Sequence, residues 1–134
     1  MEEILSLVNR HIDLMKAAIK ESNNLYKAAT NNDMESIEAS TSNRERILNL
    51  LARVQLQAEE KINVSASEQM TSDKIAILKA WLSDTNQFVE EMDTWDNKIS
   101  QQLELLKNQT QEEISQIHGI KEKFKGYNLN SVRK

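Results

Sequence analysis

The sequence predicts an all-α fold, an antiparallel bundle of three to four helices that includes a long coiled-coil-like hairpin. Three observations lead there. The 134 residues contain no Pro and only two Gly, Gly119 and Gly126, so the residues that punctuate β-turns and loops are nearly missing. Apolar residues recur at heptad spacing over most of the chain. The hydrophobic share is 39 % against 28 % charged, low for a wide globular core but sufficient for a slender bundle. The length suits one domain, residues 1–134.

The first helix is expected over about 2–29. Leu5, Val8, Ile12, Met15, Ile19, Ser22, Tyr26 and Ala29 are spaced 3-4-3-4-3-4-3, and a neighbouring stripe runs Ile4, Leu7, His11, Leu14, Ala18, Glu21, Leu25, Ala28. Together they make an apolar face broad enough for two partner helices. Thr30-Asn31-Asn32-Asp33 is the first turn signal, with Asn tolerant of a left-handed C-cap and Asp33 placed to cap the next helix.

The second helix is expected over about 33–62, with Met34, Ile37, Ile47, Leu48, Leu51, Val54, Ala58 and Ile62 as its apolar positions. Similar helix lengths and a short turn imply an antiparallel hairpin. The polar stretch Ser40–Arg46 is weak as core, and Ser42 with Glu45 fits a capping box, which suggests a kink or a late start there. Residues 63–72 are small, polar and aperiodic, and read as a connection.

From Asp73 a third pattern begins: Ile75, Leu78, Leu82, Thr85, Val89, Met92, Asp96, Ile99, Leu103, Leu106, Thr110, Glu113, Ile117, Ile120, Phe124. As one helix it would reach about 80 Å at 1.5 Å per residue. The stripe loses its apolar character at Thr110 and Glu113, where Thr110-Gln111-Glu112-Glu113 fits a capping box. The expectation is therefore a third helix over about 73–107 and a fourth over about 111–125. Gly126 is the C-cap and 126–134 the tail; one continuous helix is the competing reading.

The chemistry-bearing residues argue against an enzyme. There is no Cys, the two His are far apart, and no His-Glu-x-x-His spacing or Gly-rich phosphate loop occurs, so neither a metal nor a cofactor is expected. His11 reads as a partly buried, hydrogen-bonded histidine. His118 has Lys121 three residues on, as in histidine phosphotransfer domains. It has Glu122 at the fourth position, where a carboxylate would repel an incoming phosphoryl group. The net charge of −4 and the interleaving of Lys121, Lys123 and Lys125 with Glu122 give no basic face for nucleic acid. No signal-like start and no membrane span are visible, so a cytoplasmic location is expected.

Trp81, Phe88 and Trp95 recur every seven residues beside the Leu82, Val89, Asp96 line. They serve either as core or as anchors in a groove for a partner helix. Tyr127, beyond the last expected helix, is either a staple for the helix end or a docking residue.

The pattern resembles the flagellar type III export chaperones of the FliT and FlgN type over nearly the whole chain. The residues that carry the resemblance are Asn32-Asp33-Met34-Glu35-Ser36-Ile37, then Asn43-Arg44-Glu45-Arg46-Ile47-Leu48-Asn49-Leu50-Leu51, and Gly126-Tyr127-Asn128 near the end. The resemblance implies binding, not catalysis. The guest is the terminal amphipathic helix of a filament-cap or hook-associated protein, kept monomeric and delivered to the export gate, where Tyr127 would dock. The expected groove comprises Trp81, Phe88, Trp95, Ile99, Leu103, Leu106, Ile117, Ile120 and Phe124, with the short fourth helix as a cover. The heptads are equally compatible with a homodimer and with a non-catalytic coiled-coil scaffold or adaptor.

Overall fold

The computed structural model describes residues 2–65 and 71–132, with side chains described over 2–65 and 71–119. Its described residues form three α-helices and no strand: α1 Glu2–Thr30, α2 Met34–Ser65 and α3 Ser72–Val132. Helix α1 packs against both others, whereas no Cα of α2 lies within 8 Å of one in α3 among the described residues. Ile4 and Val8 of α1 cluster with Ala58 and Trp81, and Leu25 and Ala29 cluster with Ile37, Ile99 and Leu106. Helix α2 therefore runs antiparallel to α1, and α3 runs parallel to α1.

The α1–α2 turn follows from Asn32, Asp33 and Ser36. Asn32 adopts φ 54°, the left-handed conformation that Asn tolerates better than most residues. With Asn32 there, the Asp33 N–H reaches the Ala28 carbonyl at 3.0 Å and the Asn32 N–H the Ala29 carbonyl at 3.3 Å, which closes α1 in a Schellman motif. Asp33 then caps α2: its carboxylate accepts from the Ser36 N–H at 3.2 Å and the Ser36 hydroxyl at 2.7 Å. Those two bonds hold the Asp33 carboxyl below its ordinary value. Thr71 does the same for α3, accepting from the Lys74 N–H at 3.3 Å.

The buried seam of α1 lies between the two expected stripes. It takes Val8, Met15, Ser22 and Ala29 from one and Ile4, His11, Ala18 and Leu25 from the other. The same half-step correction applies to α3. Leu78, Thr85, Met92, Ile99 and Leu106 face inward, joined by Trp81, Phe88 and Trp95, while Ile75, Leu82 and Val89 stay exposed. A face three positions wide has no unique phase in sequence; the helix rotates to bury its largest side chains, and indole and phenyl rings outweigh Leu and Val.

Two expected breaks are absent. Helix α2 is continuous through Ser40–Arg46: Ser40 is buried, Arg44 reaches Ser22 and Asp96, and the other five residues face solvent. Helix α3 is continuous from Ser72 to Val132, so there is no fourth helix at 111–125, no cover over a groove, and no helix end at Gly126. A capping box stops a helix only if the chain turns away. With no Pro to remove a backbone bond, Asn108, Gln109 and Thr110 each cost under about 1 kcal/mol in a helix interior. Residues 66–70 of the expected connection and 133–134 of the expected tail lie outside the described residues.

The turn and the phase are both testable. Asn32→Gly should hold or raise stability, whereas Asn32→Val should cost roughly 1–2 kcal/mol in urea denaturation. Trp81→Ala should cost roughly 3–5 kcal/mol, while Leu82→Gln, one residue on, should change stability by less than about 0.5 kcal/mol. Equal losses at the two positions would contradict this phase.

Candidate partner-helix surface

Two polar layers hold α3 on α1. In the first, His11 is 2 % exposed and Trp81 donates its indole N–H to His11 Nδ1 at 3.1 Å, the two rings meeting edge to face at 5.4 Å. Gln55 of α2 is the second side-chain partner of His11, and Gln55 in turn donates to Glu59 at 3.1 Å. Accepting at Nδ1 requires a neutral ring with its proton on Nε2. Burial pushes the His11 pKa below its ordinary value, against a smaller upward pull from Gln55 and Glu59.

In the second layer, Ser22 gives its hydroxyl hydrogen to the Ala18 carbonyl at 2.8 Å, beside the Met92 sulfur at 3.7 Å. Its free lone pair accepts from Arg44 Nε at 2.8 Å, and Arg44 continues to Asp96 as an ion pair. This layer joins all three helices. Both positions read as polar interruptions of an apolar stripe, and only their cross-helix partners were hidden from the sequence.

Of the nine residues expected to form a groove, the seven whose side chains are described do not come together as one open surface. Trp81, Ile99 and Leu106 are buried against α1. Phe88, Trp95 and Leu103 are partly buried at the edges of the core, Trp95 against Tyr26 at 6.1 Å and under Lys98. Ile117 is exposed. The side chains of Ile120, Phe124 and Tyr127 lie outside the described residues.

The open apolar surface lies one step around α3. Ile75, Leu82, Val89, Asp96, Leu103, Thr110 and Ile117 follow each other at intervals of seven, so they form one line along the helix. Leu82 is 60 % exposed, Val89 53 % and Ile117 53 %. The line faces the α2 side, since Asp96 bonds to Arg44 and Leu103 shares a cleft with Met34 and Ile37. That cleft, about 280 Å³, is also lined by Leu106, Lys107, Thr110 and Gln111. A second cleft of about 380 Å³ opens on the opposite flank, floored by Ile12, Met15, Ile19 and Phe88 and rimmed by Lys16, Asp84, Gln87 and Glu91.

Among the described residues no group of three or more His, Asp or Glu is placed to hold a metal, and no helix is long and apolar enough to cross a membrane. No family model matches the chain, and no curated protein or solved structure matches it either.

The first polar layer makes stability depend on pH. With the folded pKa of His11 depressed, the unfolded chain binds a proton more readily below about pH 6.5. The contribution of neutral His11 is complete above that value and is lost as pH falls toward the folded pKa. Urea midpoints should drop between pH 7.5 and 5.5, and His11→Gln should flatten that slope; an unchanged slope in the variant would assign it elsewhere.

Proposed function

We propose that this protein is a non-catalytic carrier that binds an amphipathic helix of a partner along the open flank of α3. The observation that carries the reading is the exposed heptad line, Leu82 and Val89 above all. It runs beside the bundle at the spacing one helix presents to another, and Leu82 and Val89 are left exposed by the protein's own packing. The line leads into the apolar cleft between Met34, Ile37, Leu103 and Leu106, which suits an anchor side chain at one end of the guest.

The resemblance to the FliT and FlgN type supplies the guest: the terminal helix of a flagellar filament-cap or hook-associated protein. Such a segment exposes an apolar face before assembly and would self-associate. In the cytoplasm the carrier would keep it monomeric and hand it to the export gate, with Tyr127 as the docking residue. Partly buried Phe88, Trp95 and Leu103 can add contact area at the edges of the flank, while Trp81, Ile99 and Leu106 keep α3 in place beneath it.

The length of α3 beyond the α1–α2 turn favours a second reading, a coiled-coil scaffold or adaptor without an exchangeable guest. Calorimetry with peptides of such terminal helices separates the two. A carrier forms a 1:1 complex, and Leu82→Glu with Val89→Glu weakens it by roughly tenfold or more while the thermal midpoint stays put. Tyr127→Ala should leave that affinity unchanged and abolish capture by the export-gate protein. Failure of the folded protein to bind any such peptide would leave the scaffold reading.

A further inference from the structure

We infer that residues 107–132 of α3 are a self-association segment, through which two copies of the chain pair antiparallel about a two-fold axis near residues 119 and 120. The projecting part of α3 lies beyond the Leu82–Val89 stretch that a guest helix would use, and the two regions meet only at the cleft of Met34, Ile37, Leu103 and Leu106.

Among the described residues Leu106 is the last buried one of α3, against Ala29 and Ile37 at the α1–α2 turn. From there 26 residues of helix remain, about 39 Å at 1.5 Å per residue and close to four heptads. All residues from Lys107 to Gly119 are exposed, Ile114 at 59 % and Ile117 at 53 %. Leu103, Leu106, Thr110, Ile114 and Ile117 are spaced 3-4-4-3, so the face that α3 buries against the bundle continues outward into solvent. The segment is a weak helix former alone, since Gly119 and Gly126 interrupt it, and most helical stability in proteins comes from packing an apolar face.

Charge selects the occupant and its direction. Residues 107–119 carry one Lys and two Glu, net −1, and residues 120–132 carry three Lys and one Glu, net +2. Parallel pairing of two copies would set acid on acid and base on base. Antiparallel pairing sets Glu112 and Glu113 of one copy in the half facing Lys121, Lys123 and Lys125 of the other, and the same contacts recur across the axis. With the axis near 119 and 120, the end of each helix meets the start of the other's projecting segment, beside the cleft at Met34, Ile37, Leu103 and Leu106.

Light scattering of the full chain over 1–200 μM (roughly the range in which a four-heptad pair assembles) should show a dimer that weakens as salt rises. Ile114→Glu with Ile117→Glu should raise its dissociation constant by roughly tenfold or more, whereas Leu82→Glu with Val89→Glu should not change it. Glu112→Lys with Glu113→Lys, and Lys121→Glu with Lys123→Glu and Lys125→Glu, should each be monomeric alone and form a heterodimer when mixed. The chain has no native Cys, so single spin labels report direction. A label on Gln111→Cys should lie about 25 Å from its copy at 1.5 Å per residue, and one on Lys121→Cys far closer. A monomer throughout the range, a short distance at position 111, or a dimer lost on changing Leu82 and Val89 would each overturn the inference. A guest peptide that binds the monomer along Leu82 and Val89 without touching the dimer leaves it standing.

Discussion

Helix α1 is the common wall of this protein, and the spacing it imposes on α2 and α3 governs the rest. One strip of α1, from Ile4 to Ala29, faces both neighbours. The strip carries Ala18 and Ser22, both fully buried. Where it carries His11, a ring stands between Trp81 of α3 and Gln55 of α2. The second layer spans the gap with a whole Arg44 side chain reaching from Ser22 to Asp96. Side chains this long hold α2 and α3 apart, so the flank of α3 that faces α2 is bridged at intervals and stays otherwise open. The open apolar line is thus a consequence of the polar layers and not an independent feature.

Those layers fix register more than they add stability. A buried polar group gains little net free energy from a hydrogen bond that replaces one to water, but losing its partner costs about 1–3 kcal/mol. His11 can accept from Trp81 in only one axial alignment of α3 on α1, and Ser22 can meet Arg44 in only one alignment of α2. A slide by one heptad would keep apolar contacts nearly intact, since Val8, Met15 and Ala29 are interchangeable in kind, yet it would strand both polar groups. In a long bundle of repeating heptads this is the main defence against slippage.

Element type and the first turn were legible in the sequence because their causes are local. Periodicity specifies helix, Asn32 permits the left-handed residue, and Asp33 offers a cap, all within a few residues of where each acts. Helix phase and helix termination were not, because both are decided across helices. The two stripes of α1 are nearly equal in hydrophobicity, and the buried seam settles between them, where Trp81, Phe88 and Trp95 find room. The capping residues at 110–113 carry a true local preference, but it is worth only about 1 kcal/mol and cannot outweigh an unbroken backbone ladder on either side. The expected groove follows the aromatic edge of α3, whereas the rings pack toward α1 and leave the Leu82 and Val89 edge exposed.

The continuity of α3 has a geometric consequence for how a carrier and a dimer could coexist. The open flank beside α1 and α2 spans roughly Ile75 to Leu103, whereas the projecting segment begins only after Leu106. An antiparallel pair joined over about 39 Å of helix would place the two bundles at opposite ends of a rod. Each flank would then keep its own access to solvent from Ile75 to Val89, with the partner's helix reaching only the cleft beside Leu103 and Leu106. Had the chain broken at 107–111 and folded back as a short fourth helix, the same apolar residues would have competed with a guest for one groove, and occupancy would have cost the packing of the cover. The unbroken helix removes that competition by distance: Leu82 and Ile117 are 35 residues apart, more than 50 Å along a straight helix at about 1.5 Å per residue, too far for one to shield the other.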